Sequence, residues 1–149
     1  NKLMLTSLKP KLRVATQRAF SVSDPPSNGT AADPVLFGGT LRIVTRSGFD
    51  HTYPLPASEW RYRGLSGQNL GYVYKSATKH VFVRDAVTKI TASLPEAPVS
   101  LMQNPEPVTV VLSLGASRYC MTFGGVTSYV ASKSYRGSSA PPPAACPPP

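Results

Sequence analysis

The chain has 149 residues, 41% of them hydrophobic, which is enough for one domain with a single core. Lys and Arg total 16 against 7 Asp and Glu, and the resulting net charge of +9 suits an acidic glycan, an anionic cell surface or nucleic acid as partner, or else a basic solvated face. No stretch approaches the roughly 20 apolar residues of a membrane helix, and 16 prolines with 11 glycines disfavour long helices.

Residues 1–17 are predicted to form an arm of two short strands. The strand-like segments 3–7 and 11–17 are separated by Pro10, which lacks the N–H that a ladder needs. The arm is too apolar for a free tail, so it pairs either within its own sheet or with the open sheet edge of a neighbouring copy. Its apolar residues are Leu3, Leu5, Leu8, Leu12 and Val14.

Residues 18–137 form the predicted body. "SDPPSNGTAADP" predicts a loop, and "GGTLRIVTRSG", "EWRYR", "GYVYKS" and "VSLMQ" each predict a strand. "KHVFVRDAVTKITASL" predicts a hairpin, and "PVTVVLSLGASRYCMTFGG" predicts a clearer one that turns at Gly115. Trp60, Tyr62, Tyr72 and Tyr74 recur at period two, which favours an aromatic ladder in the core over a binding platform.

The last segment, residues 138–149, is a proline-rich tail that cannot pair as a central strand. Upstream of it, short strands with turn signals every 8 to 12 residues or so are typical of sandwiches and barrels. The predicted fold is therefore all-β, an antiparallel β-sandwich of about nine to eleven short strands with a proline-rich C-terminal tail.

The two cysteines lie in contrasting places. Cys120 is in a predicted core strand and Cys146 is in the tail. In an oxidising compartment they would form a disulfide that ties the tail to the body; free buried thiols are the alternative. Their spacing from His51 and His80 matches no zinc pattern, so we predict no metal site.

The chain lacks the sequence motifs of common enzyme classes. We find no nucleophile elbow, phosphate-binding loop or dinucleotide fingerprint, and the acidic residues lie singly. Asp50 and His51 are adjacent, but neighbouring strand residues point to opposite faces. We therefore expect no enzymatic activity and no cofactor.

Five segments together resemble an uncharacterised β-rich domain in secreted proteins of myxobacteria-like environmental Gram-negative bacteria, where it occurs singly or in tandem near the C-terminus. They are "DPVLFGGTLRIVT", "LPASEWRY", "GYVYKS", "PVTVVLSLGASRYCMTFGG" and "YRGSSAPPPAACP", and the resemblance spans residues 3–147. It implies export, an oxidising environment and β-structure, but no activity. Many relatives carry a second cysteine pair around the central hairpin, which this chain lacks.

Two functions are expected from these observations. The first is an extracellular structural protein whose copies associate head to tail into a surface fibre by donating the N-terminal arm. The alternative is an extracellular sandwich that binds an acidic glycan or an anionic surface. Its candidate residues are Arg61, Arg63, Lys75, Lys79 and Lys89. Nucleic acid is disfavoured as a partner because export removes the chain from it.

Overall fold

The computed structural model describes residues 2–17, 28–65, 67–84, 87–139 and 146–149. Within them the chain forms eleven strands, and the predicted all-β sandwich is confirmed. The strands are β1 (Lys2–Thr6), β2 (Lys11–Gln17), β3 (Gly39–Thr45), β4 (Asp50–Leu55), β5 (Trp60–Tyr62), β6 (Tyr72–Lys75), β7 (Lys79–Arg84), β8 (Val87–Ser93), β9 (Val108–Leu114), β10 (Ser117–Val130) and β11 (Ser134–Ser139). A four-residue helix, α1 (Pro34–Phe37), and a 3-10 turn (Ala57–Glu59) complete the elements.

The strands pair antiparallel in the order β4-β3-β9-β10-β11-β1-β2-β8-β7-β6-β5. Strand β10 belongs to both halves of this ladder. Residues 117–123 pair with β9, the register then shifts, and residues 127–130 pair with β11. The bulge divides β10, so that β4, β3, β9 and the first part of β10 form a smaller layer, and the strands from β11 to β5 form a larger one.

The two layers share one hydrophobic core. Side chains alternate between buried and exposed along the strands, as a pleated sheet with one wet face requires. The largest fully buried side chains are Trp60, Tyr53, Tyr72, Tyr135 and Phe123. Contact across the layers is direct, because the Lys79 ammonium of β7 lies 5.5 Å from the centre of the Tyr53 ring of β4.

The predicted arm is built into the middle of the larger layer. Strand β1 pairs with β11 on one side and β2 on the other, and β2 pairs with β8. Leu3, Leu5, Leu12 and Val14 are buried in the chain's own core, whereas Leu8 in the β1–β2 turn is 84% exposed. Of the two arrangements that the sequence left open, this monomer has the one in which the arm pairs within its own chain.

Several local predictions are confirmed. Rings of the aromatic ladder contact each other in tilted pairs across β5 and β6, with centroids 5.3 Å apart for Trp60 and Tyr74 and 6.0 Å for Tyr62 and Tyr72. The β9–β10 hairpin turns at Gly115, whose φ is +51°. A Cβ there would lie 2.1 Å from the Ala31 carbonyl oxygen, so the turn requires glycine.

Two local features differ from prediction. The segment 99–103 is not a strand: the Leu101 carbonyl accepts hydrogen bonds from the Ser132 N–H and the Tyr129 hydroxyl instead of from a ladder partner. Helix α1 was not predicted, but Asp33 caps it by accepting from the Val35 N–H at 2.8 Å. Residues 18–27, which include the first part of the predicted loop 23–34, the β7–β8 turn (85–86) and residues 140–145 of the tail lie outside the described residues.

Candidate functional site

The outer surface of the larger layer is dominated by cations. Neighbouring strand residues point to opposite faces, so the cations that alternate with buried core residues on these strands face solvent. We call this surface the basic face. It consists of Lys2, Lys11, Arg13, Arg61, Lys75, Arg84, Lys89 and Arg136. Along their described residues, the seven strands from β11 to β5 contain no Asp or Glu.

Four of the five predicted surface cations lie on or over this face. Arg61, Lys75 and Lys89 are exposed on β5, β6 and β8. Arg63 follows β5 and places its guanidinium carbon 4.9 Å from the centre of the Phe82 ring on β7. Arg61 lies on β5 at the edge of the larger layer, and its Nη1 donates to the carbonyl oxygens of Ser58 and Trp60 at 2.6 and 2.7 Å.

Lys79 is not on the basic face. It is only 8% exposed and shares its side of β7 with the buried Val81 and Val83. Its ammonium pairs with the Glu96 carboxylate and donates to the Thr78 hydroxyl at 3.2 Å. Partial burial raises the pKa of Glu96, but the hydrogen bond and charge of Lys79 outweigh it, so this pKa lies below its usual range. Lys79 therefore serves the packing of the two layers.

A groove of about 640 Å³ crosses the basic face over β11, β1, β2 and β8. We call it the basic groove. Its cations are Lys2, Arg13, Lys89 and Arg136, all exposed. Of these four, Lys2, Arg13 and Arg136 were not among the predicted site residues. The period of β2 already placed Arg13 on the side opposite the core residues Leu12 and Val14.

Strand register fixes how these cations are arranged. Arg136 and Arg13 flank Met4 from the two neighbouring strands, and Lys2 and Lys89 flank Ala15 in the same way. Adjacent strands lie about 4.8 Å apart, so the backbone positions of the two cations in each pair are roughly 10 Å apart. The two rows are two residues apart along the strands, or about 7 Å. The cations thus stand at the corners of a parallelogram.

Small side chains keep the centre of the groove open. Ala15 and Ser138 lie beside Lys2 on the outer surface, and Gly137 adds backbone to the lining. The aliphatic stems of the long cations form the walls, with their charged ends at the rim. The arrangement provides a shallow apolar floor with positive charge on four sides.

The described part of the basic face offers no open Phe, Tyr or Trp ring for stacking, and its exposed aromatic side chain is the His80 imidazole. Trp60, Tyr72 and Tyr74 point into the core and are at most 3% exposed. Phe82 points outward but lies under the Arg63 guanidinium. The groups that this face offers to a ligand are therefore mainly charges and hydrogen-bond donors, since ring stacking needs an open aromatic surface.

The smaller layer carries residues 146–149 of the C-terminal tail on its outer face. Cys120 of β10 and Cys146 form the predicted disulfide, with Cα atoms 5.5 Å apart. Arg118 donates to the Pro147 carbonyl at 2.6 Å, and Arg42 donates to the Pro148 carbonyl. Charge-assisted hydrogen bonds thus hold the residues beyond the disulfide against the sheet.

Arg42 also forms a second set of contacts on that layer. It binds Asp50 through two hydrogen bonds of 2.8 Å each, and this guanidinium lowers the pKa of the Asp50 carboxyl. The two ion pairs seen in the described residues, Arg42–Asp50 and Lys79–Glu96, both lie off the basic face.

The described ranges contain neither a metal-binding cluster nor a membrane-spanning helix. No group of three or more His, Cys, Asp or Glu side chains there could hold a metal ion. None of the helices there has the length and apolar character needed to cross a membrane.

No protein-family model, curated protein or solved structure matches this chain. The resemblance to a secreted bacterial domain therefore stays a prediction.

Proposed function

We propose that this chain is a non-enzymatic extracellular β-sandwich that binds an acidic glycan or another anionic surface through the basic face. The observation that carries the proposal is the segregation of charge. Eight cations share one surface, and the strands that bear them have no carboxylate among their described residues. Such a surface attracts polyanions over a distance of about 8 Å at physiological salt.

The disulfide supports an extracellular location. Disulfides persist in oxidising compartments and are rare in the cytosol, where thiols are kept reduced. Cys120 and Cys146 are bonded to each other, and no other cysteine is present in the chain. Outside the cell, acidic polysaccharides and anionic surface polymers are the available polyanions.

Retention on immobilised alginate, a linear polyuronate, tests the proposal. The wild-type chain is expected to bind at low salt and to elute as sodium chloride rises, because salt screens exposed charges. A column of neutral dextran should not retain it. Lys75→Glu combined with Lys89→Glu reverses two charges on the basic face and should move elution to clearly lower salt.

Lys9→Glu combined with Lys133→Glu is the matched control. Both lysines are exposed in strand-connecting turns, and this double variant also lowers the net charge of +9 by four. It should elute close to wild type. Equal shifts for both double variants would show that only net charge matters and would contradict a specific face, as would retention that salt does not affect.

Self-association by strand donation stays a prediction with an added requirement. Because β1 and β2 form a hairpin between β11 and β8, a donated arm would have to leave that central position and enter the same position in a neighbour. Such an exchange preserves every ladder hydrogen bond and is a form of domain swapping.

A further inference from the structure

We infer that the basic groove is the primary site for a linear acidic polysaccharide, which crosses β11, β1, β2 and β8 with its acidic groups bound by Lys2, Arg13, Lys89 and Arg136. The inference rests on the proposed function and deepens it in two respects. It names the ligand class, and it places the strongest binding at one end of the basic face rather than over all of it.

The separation of the cations indicates a ligand with repeated charges. A single small anion could be contacted by two of these long side chains, but the four cations start from backbone positions spread over roughly 10 by 7 Å, and one small anion would not neutralise all of them. A chain with acidic groups at intervals contacts all four. Its simultaneous contacts add, because each one raises the effective concentration of the next acidic group.

The floor of the groove suits a sugar chain. Between the cations lie the side chains of Met4 and Ala15, which expose no hydrogen-bonding group. The exposed residues Ser128 and Thr91, both with hydroxyl groups, line the groove around them. Apolar floor and flanking hydroxyls match the C–H surfaces and hydroxyl groups of pyranose rings, whereas the cations match carboxylate or sulfate substituents.

The same surroundings disfavour nucleic acid. Single-stranded nucleic acids are held by aromatic side chains on which the bases stack, in addition to phosphate contacts. The residues that line the basic groove include no Phe, Tyr or Trp. Groove binding would therefore leave bases without a partner.

The groove also opens onto a continuing line of cations. From Lys89 the basic face extends over β7 and β6 to Lys75, and Arg63 lies over Phe82 in the same direction. A polymer longer than the groove would follow this line across the strands. Longer chains are therefore expected to bind more tightly than short ones, through added contacts of ordinary surface strength.

The test compares two double variants that each remove one Arg and one Lys from the basic face. Arg13→Gln with Lys89→Gln affects the groove, and Arg61→Gln with Lys75→Gln affects the opposite end. Both lower the net charge of +9 by two. Affinity for defined alginate oligosaccharides is measured by titration calorimetry at several salt concentrations, with circular dichroism confirming the fold.

The groove variant should bind at least about fivefold more weakly than wild type, because it loses contacts in the primary site. The control should lose less than about twofold, because its contacts are peripheral. The plot of log affinity against log salt should become flatter by about one unit for each lost contact. Equal losses in both variants would overturn the groove as primary site while leaving the proposed function intact. No loss in either would contradict both.

Competing ligands test the ligand class. Single-stranded DNA and vesicles that contain phosphatidylglycerol are titrated at matched concentrations of negative charge. If DNA or the vesicles bind more tightly than alginate, and the groove variant binds them more weakly than wild type, the groove serves a different anion. That result would overturn the inference. Preference for alginate supports it.

Discussion

Two buried hydroxyls face each other across the β2–β8 pair. Thr16 and Thr88 are register partners, 2% and 0% exposed, and neither Oγ1 has a hydrogen-bond partner within the described part of the chain. Burying an unpaired hydroxyl costs free energy because its hydrogen bonds to water are lost. The β-branched shape of threonine suits a strand, so it is the hydroxyl and not the shape that is unfavourable.

Thr88→Val should therefore stabilise the protein by about 1 kcal/mol, since it replaces the hydroxyl by a methyl group of similar size. Denaturant unfolding measures the change. Thr109→Val serves as control, because the Thr109 hydroxyl shares a 3.3 Å hydrogen bond with the Thr122 hydroxyl. The control should lose stability. Destabilisation of Thr88→Val by a similar amount would show that its hydroxyl is hydrogen-bonded after all.

Residue-level prediction succeeded where strand period alone decides the outcome. The period placed the aromatic ladder in the core and Arg61 in solvent. The same alternation in β7 places Lys79 on the side of Val81 and Val83, which is buried. The prediction that Lys79 is a surface cation was wrong because it considered only its charge. Its partner Glu96 is distant in sequence, so no local pattern indicates the ion pair.

At the scale of elements, hairpins could be predicted and sheet order could not. Hairpins such as β9–β10 depend on adjacent runs and a turn glycine, both visible in the sequence. The placement of β1 between β11 and β2 depends on contacts between distant segments, to which local propensity gives no guide. The basic groove forms only because β1 lies beside β11. The sequence therefore contains no sign that Lys2 and Arg136 belong to the same site.

The disulfide should act mainly on the tail and on global stability. Cys120 and Cys146 are 26 residues apart in sequence, and closing a loop of that length stabilises by about 3 to 4 kcal/mol in the chain-entropy model. Cys120→Ser with Cys146→Ser should lower the free energy of unfolding by up to that amount. The far-ultraviolet circular dichroism should be retained, because the last strand of the described residues, β11, ends at Ser139, before Cys146.

Hydrogen exchange gives the sharper readout for this variant. The amide of residue 146, which is followed only by prolines, should lose protection, while β2 and β8 keep theirs, since only Arg42 and Arg118 would still hold the tail. Unchanged protection of the tail would show that the arginine contacts alone suffice. Loss of protection in β2 and β8 would contradict the expectation that the disulfide orders the tail and leaves the strands of the body unchanged.

For the whole molecule, buried tyrosines predict sensitivity to alkaline conditions. Burial raises the pKa of Tyr119 and of Tyr135 to about 12, and it also raises those of Tyr53 and Tyr72. In the unfolded chain these phenols ionise near pH 10. A group whose pKa is raised in the folded state contributes stability that is present below the unfolded pKa and is lost as pH rises through the folded value.

The free energy of unfolding should therefore fall steeply between about pH 10 and pH 12. Denaturant unfolding at a series of pH values measures this, and tyrosinate absorbance should rise together with unfolding. In Tyr135→Phe the fall should be shallower, because one titrating phenol is removed. Tyrosinate absorbance that rises fully while the chain stays folded would contradict the buried positions.

The pairing of β1 with β11 places Lys2 opposite Ser138, so the first strand of the fold has its neighbour almost at the end of the chain. During synthesis the larger layer cannot close until β11 has emerged, and contacts of such high sequence separation form slowly, roughly in milliseconds to seconds. Until then β1 presents an unpaired ladder edge, which invites pairing with other chains.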